Sequence, residues 1–253
     1  MTWEPDRYLR YADDRLRPAV DLLGRIPLTH PRRIVDLGCG AGNVTRLLAE
    51  RWPDAHITGL DSSPEMLERA RAVLPEAHFE LAGVEHWEAE EALDLLFSNA
   101  ALHWVGDHEN LLPRLVNALF PGGVLAVQMP GNFEAPSHRS IREMAESPEW
   151  AGRLGWGRMG AILNMADYHR ILAPLCTRLS LWETTYWQTL RGPSPVLEWL
   201  RGTTLVPYLA PLEEPVRDAF LAQLGERLDA AYPMDGEGVT LFPFRRVFIV
   251  AQR

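Results

Sequence analysis

The chain has 253 residues, of which 47% are hydrophobic, enough for one large α/β domain or for a core with a smaller cap. Its formal net charge of -9 argues against a nucleic-acid partner, because such binding depends on Lys and Arg side chains that neutralise phosphates. All 25 basic residues are arginine, which excludes Schiff-base chemistry and a P-loop lysine. Two cysteines, no signal-peptide pattern and no long apolar run predict a cytoplasmic protein with no membrane segment.

Apolar strands and amphipathic helices alternate along the first 130 residues. After a helix over 6–25, the pattern predicts strands at 33–37, 56–60, 77–82, 94–98 and 124–129. Helices are predicted over 43–51 and over about 108–119. Another helix is predicted to begin at a Ser cap at 62–63, with Met66, Ala70 and Val73 on its buried face. This alternation predicts a parallel sheet that is covered by helices on both faces.

The remaining residues contain two long helical stretches, each followed by a strand. Helical periodicity extends over 136–174 and 194–231, whereas 178–187 and 239–251 have the pattern of strands. The order predicts a seven-stranded, mostly parallel sheet with an antiparallel last strand, in a single domain over 1–253. Helical caps at about 132–174 and 191–238 are expected to act as lids at the ligand-binding edge, with Arg245 and Arg246 at the rim opposite Tyr186 and Trp187.

The segment Asp36-Leu37-Gly38-Cys39-Gly40-Ala41-Gly42 is the most informative in the chain. It joins the first strand to the next helix, and its alternate glycines let a ligand approach the backbone because no Cβ intervenes. Asp61 ends the following strand, where an open α/β sheet places the carboxylate that binds a ribose. Together these residues predict a site for a nucleoside-containing cofactor.

The glycine spacing indicates which cofactor this is. A dinucleotide fingerprint is G-x-G-x-x-G, but Asn43 stands at the position of the third glycine. The acidic Asp36 beside the turn opposes a pyrophosphate and suits a ligand that carries an amine. S-adenosylmethionine carries an ammonium and a sulfonium and has no phosphate. The acid-flanked G-x-G-x-G turn therefore predicts a Rossmann-like class I methyltransferase fold, and it disfavours a nicotinamide dehydrogenase.

Residues that follow the third and fourth strands complete the predicted cofactor site. Asn99 is expected to close over the methionine part of the cofactor, although an Asn that merely ends a strand explains the pattern equally well. Glu85 is placed where a carboxylate can receive the adenine amino group, or it belongs to a solvated acidic face. The predicted cofactor residues are Asp36, Gly38, Gly40, Gly42, Asn43, Asp61, Ser62, Met66, Val84, Glu85, Asn99 and Trp104.

The sequence pattern around the histidines of this region does not predict a catalytic or metal-binding role for them. His103 is a candidate general base or substrate hydrogen-bond donor, but a lone His at a helix start more often has neither role. His103 and His108 are five residues apart and have no Cys or acidic cluster at ligand spacing. We therefore predict no metal site.

The chain resembles the trans-aconitate 2-methyltransferase family over nearly its whole length, from Trp3 to Ala251. The matching blocks lie at 17–19, 36–40, 58–64, 92–95, 124–130, 184–186 and 246–251. Many methyltransferases share the early strand–turn blocks, whereas Gln128-Met129-Pro130 and the C-terminal blocks are more specific. One departure is Gly83, where the family usually has Asp. Glu85 or the backbone at Gly83 and Val84 would then have to recognise adenine.

The resemblance implies methyl transfer from S-adenosylmethionine to a carboxylate of trans-aconitate, with S-adenosylhomocysteine as the second product. A carboxylate is already ionised at neutral pH and needs no base, so catalysis becomes a matter of orientation. An acidic protein needs local arginines to attract a small anionic carboxylic acid. The candidate substrate-binding residues are Arg17, Tyr186, Trp199, Arg245 and Arg246, with His103 and Tyr186 as candidates for orienting the substrate.

Two other functions remain compatible with the sequence. A class I methyltransferase of another small molecule, such as a phenol or quinone precursor, would need a base, and His103 would be the first candidate. A cofactor-binding protein without catalysis is the other, and Gly83 is the one feature that favours it. The sequence does not indicate the oligomeric state.

Overall fold

The computed structural model describes residues 16–154, 160–202 and 204–253. They form two compact units. The first unit contains the described residues up to Met129 together with 161–183 and 247–253. The second unit contains the described parts of 130–160 and 184–246.

A seven-stranded sheet is the main element of the structure. Its strands are β1 (Arg33–Leu37), β2 (His56–Asp61), β3 (His78–Leu81), β4 (Leu93–Asn99), β5 (Leu119–Pro130), β6 (Arg178–Arg191) and β7 (Val239–Gln252). Their order across the sheet is β3-β2-β1-β4-β5-β7-β6.

The strands β1 to β5 run parallel. The chain adds β2 and β3 on one side of β1 and then β4 and β5 on the other side, so the strand order reverses between β1 and β4. The last strands are antiparallel. Gly122 N–H donates to Arg253 O at 2.8 Å and Gly131 N–H donates to Arg245 O at 2.9 Å, so β7 runs back along β5. This topology confirms the predicted Rossmann-like fold. A parallel sheet of this kind binds ligands outside the carboxyl ends of its strands, where the order reverses.

Nine α-helices lie in the described residues. They are α1 (Arg17–Leu23), α2 (Asn43–Arg51), α3 (Pro64–Val73), α4 (His108–Asn117), α5 (Pro136–Glu146), α6 (Met165–Leu172), α7 (Pro195–Arg201), α8 (Val206–Leu209) and α9 (Glu214–Ala231). None of them is long and apolar enough to cross a membrane. A short 3-10 turn at Leu102–Trp104 follows β4.

The helix after β2 begins as predicted but buries a different face. Ser63 caps α3 by accepting a hydrogen bond from Met66 N–H at 3.3 Å. Leu67 and Ala70 are the buried residues, whereas Met66 is 38% exposed and Val73 is 37% exposed. The prediction that Met66 and Val73 pack in the core was wrong, because the helix is rotated so that Met66 faces the cavity described below.

Several predicted boundaries also differ. In its described residues the stretch 136–174 contains two α-helices, α5 and α6. The described part of 194–231 contains three, and each of α7, α8 and α9 has a proline at its first or second position. The strand β5 begins at Leu119 rather than 124, with a register shift around its Pro-Gly-Gly segment, and β6 extends to Arg191. The part of the helix predicted over 6–25 that precedes residue 16 lies outside the described residues. The two lids stay a prediction.

A buried hydrogen-bond network fixes the chain after β4. His108 Nε2 lies 2.9 Å from the carbonyl of Leu102, so this nitrogen must carry the proton. Nδ1 is then the acceptor for the hydroxyl of Tyr168, at 2.8 Å, and Leu163 N–H donates to the same hydroxyl at 3.1 Å. Tyr168 is fully buried in the core of the first unit. The network thus anchors the turn that follows the carboxyl end of β4.

Candidate active site

A cavity of about 530 Å³ opens in the first unit at the carboxyl ends of the parallel strands. This volume lies in the range of about 300–1,000 Å³ that is usual for small-molecule sites. All of the predicted cofactor residues except Gly42 line it. Its wall also contains Gly83 and several residues that were not predicted to bind the cofactor: Leu16, Cys39, Ala41, Val44, Ala82, Ala100, Ala101 and Val105.

The glycine turn shapes the floor of this cavity. Gly38 has φ +73°, and a Cβ there would lie 2.2 Å from Cβ of Ala101, so only glycine fits. Gly40 has φ +55°, and a Cβ there would meet no atom within 4 Å. The empty space beside Gly40 is therefore space for a ligand, which can approach its backbone directly.

Gly42 has a structural reason to be glycine. It precedes the first residue of α2 with φ +79°, and a Cβ there would lie 3.1 Å from both Cα and Cβ of Ala70 in α3. The absent side chain lets the turn pack against α3. Gly42 does not line the cavity, so its contribution to cofactor binding is through the shape of the turn.

Asp61 connects the two turns that border the cavity. Its Oδ2 accepts a hydrogen bond from Gly40 N–H at 2.9 Å, and its Oδ1 accepts one from Ser63 N–H at 2.9 Å. Each carboxylate oxygen has a second lone pair that remains available for ligand hydroxyls. Asp61 is thus both a brace for the glycine turn and an acceptor on the cavity wall.

Asp36 is a buried carboxylate at the same edge. It is 1% exposed, and Thr45 Oγ1 donates a hydrogen bond to its Oδ2 at 2.7 Å. Burial raises the pKa of Asp36 to about 7, the bond from Thr45 opposes this rise, and the charge of Asp61 adds to it. A ligand cation at this place would stabilise the ionised form.

Asn99 presents an unsatisfied acceptor. The residue ends β4 and lines the cavity, and its Oδ1 is buried without a hydrogen-bond partner among the described residues. Unpaired buried polar atoms are rare in native proteins. An ammonium group in the cavity would supply the missing donor.

Glu85 occupies the place that a side chain at residue 83 would use. A Cβ on Gly83 would lie 3.0 Å from Oε2 of Glu85, and both residues line the cavity. Arg114 of α4 fixes this loop, since its Nη2 donates to the carbonyls of Val84 and Glu85 at 2.9 and 3.0 Å and its Nη1 donates to that of Trp87. Sequence reasoning missed Arg114, because the carbonyls that it binds lie 27 to 30 residues earlier in the chain and such a contact has no local sequence signature.

Two aromatic residues follow β4 on the 3-10 turn. Trp104 lines the cavity and is 44% exposed. His103 is buried, its ring centroid lies 4.6 Å from that of Trp104, and it does not line the cavity. This placement does not favour His103 as a base for a substrate in this cavity.

The second unit contains a partly buried arginine that packs on an aromatic cluster. The guanidinium carbon of Arg246 lies 4.3 Å from the centroid of the Phe244 ring, and the Trp199 ring lies 6.3 Å from that ring. Nε of Arg246 is buried without a hydrogen-bond partner among the described residues. Burial lowers the pKa of Arg246 to about 10, and Tyr186 opposes this effect. Arg246 therefore remains charged at neutral pH.

Asn132 contacts the backbone of Arg245 and was not predicted. Its Oδ1 accepts a hydrogen bond from Arg245 N–H at 2.8 Å, which orients the amide, and its Nδ2 is a buried donor without a partner among the described residues. Arg245 is exposed, and its Nη1 donates to the carbonyl of Gly131 at 3.4 Å. Arg17 is exposed at the start of α1 in the first unit. Nε of Arg246 and Nδ2 of Asn132 are thus both buried donors of the second unit without a partner among the described residues.

Metal ligands are not grouped in the described residues. No set of three or more His, Cys, Asp or Glu side chains in 16–154, 160–202 and 204–253 could hold a metal ion.

Comparison with known proteins shows the family. A methyltransferase domain model matches residues 34–123. The trans-aconitate 2-methyltransferase of Methylobacterium radiotolerans is 46% identical over 99% of this chain and 98% of its own length. Those of Azoarcus sp. and Streptomyces avermitilis are each 48% identical over all of this chain and 99% and 97% of their own lengths. The chain belongs to the trans-aconitate 2-methyltransferase family. It is therefore a methyltransferase.

Solved structures share the fold at low sequence identity. An S-adenosylmethionine-dependent methyltransferase from Mesorhizobium loti has a TM-score of 0.53 and 22% identity, covering 97% of this chain and 100% of that one. Phosphoethanolamine N-methyltransferase 2 of Haemonchus contortus, in complex with S-adenosyl-L-methionine, has a TM-score of 0.58 and 17% identity. This match covers 92% of the present chain and 51% of the other. These likenesses concern the fold.

The raised pKa of Asp36 makes the stability of the ligand-free protein depend on pH. The unfolded chain loses this proton near pH 4 and the folded chain near pH 7, so stability falls as pH rises between these values. Asp36→Asn keeps the hydrogen bond to Thr45 and removes the titration. Relative to wild type, the variant should gain about 3 kcal/mol between pH 5 and pH 7, at about 1.4 kcal/mol per pKa unit. Urea unfolding at several pH values measures this gain.

Asp218→Asn, at an exposed position, is the matched control for that experiment. Its stability relative to wild type, measured at the same pH values, is the reference for the same substitution at the surface. A constant difference between Asp36→Asn and wild type from pH 5 to pH 8 would show that Asp36 does not titrate near neutrality.

Because Oε2 of Glu85 lies where a side chain at residue 83 would begin, a carboxylate on either residue should bind the cofactor. Glu85→Ala should weaken S-adenosylhomocysteine binding by about tenfold, the value of one hydrogen bond to a charged group. The double variant Gly83→Asp/Glu85→Ala returns a carboxylate to the same place and should recover most of the affinity. Isothermal titration calorimetry measures both, with the exposed Glu88→Ala as control. Equal affinities for wild type and Glu85→Ala would assign Glu85 to the solvated surface.

Proposed function

We propose that this protein transfers a methyl group from S-adenosylmethionine to a carboxylate of trans-aconitate, forming a monomethyl ester and S-adenosylhomocysteine. The observation that carries the substrate assignment is the full-length similarity to trans-aconitate 2-methyltransferases at 46–48% identity. The cavity at the glycine turn supports the cofactor assignment by its chemistry, independently of the relatives' names.

The methyl donor is S-adenosylmethionine. It supplies an electrophilic methyl group on a sulfonium, and the carboxylate oxygen takes this group with no proton transfer. The cationic amino-acid end would lie between the Asp36 carboxylate and Oδ1 of Asn99, both acceptors. Asp61 would accept hydrogen bonds from the ribose hydroxyls, and Glu85 would receive the adenine amino group.

The described residues that line the cavity include no histidine, and the proposal uses its carboxylates to hold the cofactor, which agrees with a carboxylate substrate that needs no base. A carboxylic acid has a pKa near 4, so the nucleophile is already formed at neutral pH. The residues of the chain then have to orient the carboxylate and exclude water, and orientation alone can supply a large part of a rate enhancement. A phenol would instead need a base, and His103 does not line the cavity.

The anionic charge of the substrate has to be compensated by arginines of an acidic chain. We assign this role to Arg246, with Tyr186, Trp199 and Arg245 of the second unit as its neighbours and Arg17 as a further candidate. Arg246 is suited to the role because its guanidinium is partly buried, charged and not fully hydrogen bonded. A guanidinium fork can bind a carboxylate through two parallel hydrogen bonds.

Methyl transfer from labelled S-adenosylmethionine to a panel of acids tests the proposed function. Trans-aconitate, cis-aconitate, citrate, isocitrate and several phenols are compared. Selective labelling of trans-aconitate as a base-labile ester is the expected result. Labelling of a phenol alone would replace the proposal by base-assisted O-methylation. Binding of S-adenosylhomocysteine without labelling of any acceptor would point to a cofactor-binding protein.

The proposed role of Arg246 predicts that its substitution weakens the binding of substrate and leaves the binding of cofactor unchanged. Arg246→Met keeps the apolar stem on Phe244 and removes the guanidinium, so the KM for trans-aconitate should rise about 10- to 100-fold, as expected for a lost hydrogen-bonded ion pair. The affinity for S-adenosylhomocysteine should stay within twofold of wild type. Steady-state kinetics and calorimetry measure the two effects.

Arg201→Met provides the matched control, because Arg201 is an exposed arginine of the same unit that pairs with Glu198. Its KM should equal that of wild type. An unchanged KM in Arg246→Met would remove Arg246 from the substrate site.

A further inference from the structure

Two buried amide groups at the ends of neighbouring strands have complementary unpaired atoms. Oδ1 of Asn99 is an acceptor and Nε2 of Gln128 is a donor, and neither has a hydrogen-bond partner among the described residues. Gln128 is 1% exposed and has no role in the site described so far. An unpaired buried polar atom costs about 1–3 kcal/mol, so a donor of this kind calls for a ligand or a structural explanation.

The strand register places Gln128 directly beside Asn99, and Gln128 itself is buried and outside the cavity lining. Asn99 and Gln128 are direct partners in the parallel pair β4–β5, and Ala100 N–H donates to Gln128 O at 2.9 Å. Because side chains alternate along a strand, residues in register on parallel neighbours project from the same face. Asn99 lines the cavity, so Gln128 extends the same row of polar groups by one strand.

The hydrogen-bonding character of this row changes from acceptor to donor. Asp36 on β1 is in register with Phe97, which lies two residues before Asn99, so Asp36, Asn99 and Gln128 share one face. The first two present oxygen atoms, whereas Gln128 presents an N–H group. The proposed reactants match this order. The cationic methyl donor suits the oxygen atoms, and the anionic methyl acceptor suits the N–H group.

We propose that Nε2 of Gln128 donates a hydrogen bond to the carboxylate that becomes methylated and holds it in position. This assignment rests on the proposed function. The carboxylate has two oxygens, so one can accept the bond from Gln128 while the other forms the new bond to the methyl carbon. The amide has no charge, so it orients the nucleophile with less loss of reactivity than an arginine would cause.

Substitutions of the same size separate this role from a structural one. Gln128→Leu removes the donor, and Gln128→Glu replaces it with a charged acceptor that repels a carboxylate. Binding of trans-aconitate to the S-adenosylhomocysteine complex is measured by calorimetry, together with kcat and KM for methyl transfer. The dissociation constant of trans-aconitate should rise about 10- to 100-fold in Gln128→Leu and further in Gln128→Glu, as for a lost hydrogen bond to a charged group.

The affinity for S-adenosylhomocysteine should remain within twofold of wild type in both variants, which a general loss of folding would not allow. Gln252→Leu is the matched control, because its amide donates to Gly122 O at 3.0 Å, near the opposite end of β5. This control should bind trans-aconitate like wild type.

Two results would overturn the assignment, and they are distinguishable. The role of Gln128 alone would be overturned if the wild-type protein methylates trans-aconitate and Gln128→Leu has the same substrate binding and kinetics. A wild-type protein that labels no carboxylic acid would overturn the proposed function and the role of Gln128 with it.

Discussion

The ligand-binding edge of the first unit depends on the carboxylate of Asp61. By accepting the N–H groups of Gly40 and Ser63, it joins the turn after β1 to the start of α3. Leu60 O accepts the N–H groups of Gly38 and Cys39 beside it. These bonds hold the glycine turn in a left-handed backbone that a side chain at Gly38 would not permit, because it would collide with Ala101. The open space beside Gly40, which admits a ligand, is a consequence of this brace.

The two units carry opposite electrostatic preferences. The cavity of the first unit is lined by three carboxylates, those of Asp36, Asp61 and Glu85, and the burial of Asp36 makes its ionised form depend on a nearby cation. The second unit presents a partly buried guanidinium and the unpaired amide donor of Asn132. A reaction between a cationic methyl donor and an anionic acid requires both preferences, and an acidic chain can provide the second only by local arrangement. The net charge of -9 therefore says little about the substrate.

Sequence patterns identified most of the fold and much of the cavity wall because both depend on short-range signals. The alternation of strands and helices specifies a parallel sheet, and the acid-flanked glycines specify where its ligand edge lies. The predictions that were wrong concern features that depend on contacts between residues distant in the chain. Met66 has the spacing of a core residue, but the rotation of α3 exposes it, and this rotation depends on how closely Gly42 allows α3 to approach. The stretch 136–174 has the periodicity of a helix, but α5 ends at Glu146 and α6 begins at Met165, and periodicity alone does not locate these ends.

The sequence by itself determined the order of strands and helices, the glycine turn and the acidic residues at the strand ends, since each is encoded within a few neighbouring positions. Only the tertiary structure decided which polar groups are left without a partner. The clamp of Arg114 on the loop after β3 and the register that pairs Asn99 with Gln128 both join residues distant in the chain. Hydrogen bonding is satisfied or left open by three-dimensional neighbours, and a linear pattern does not contain them.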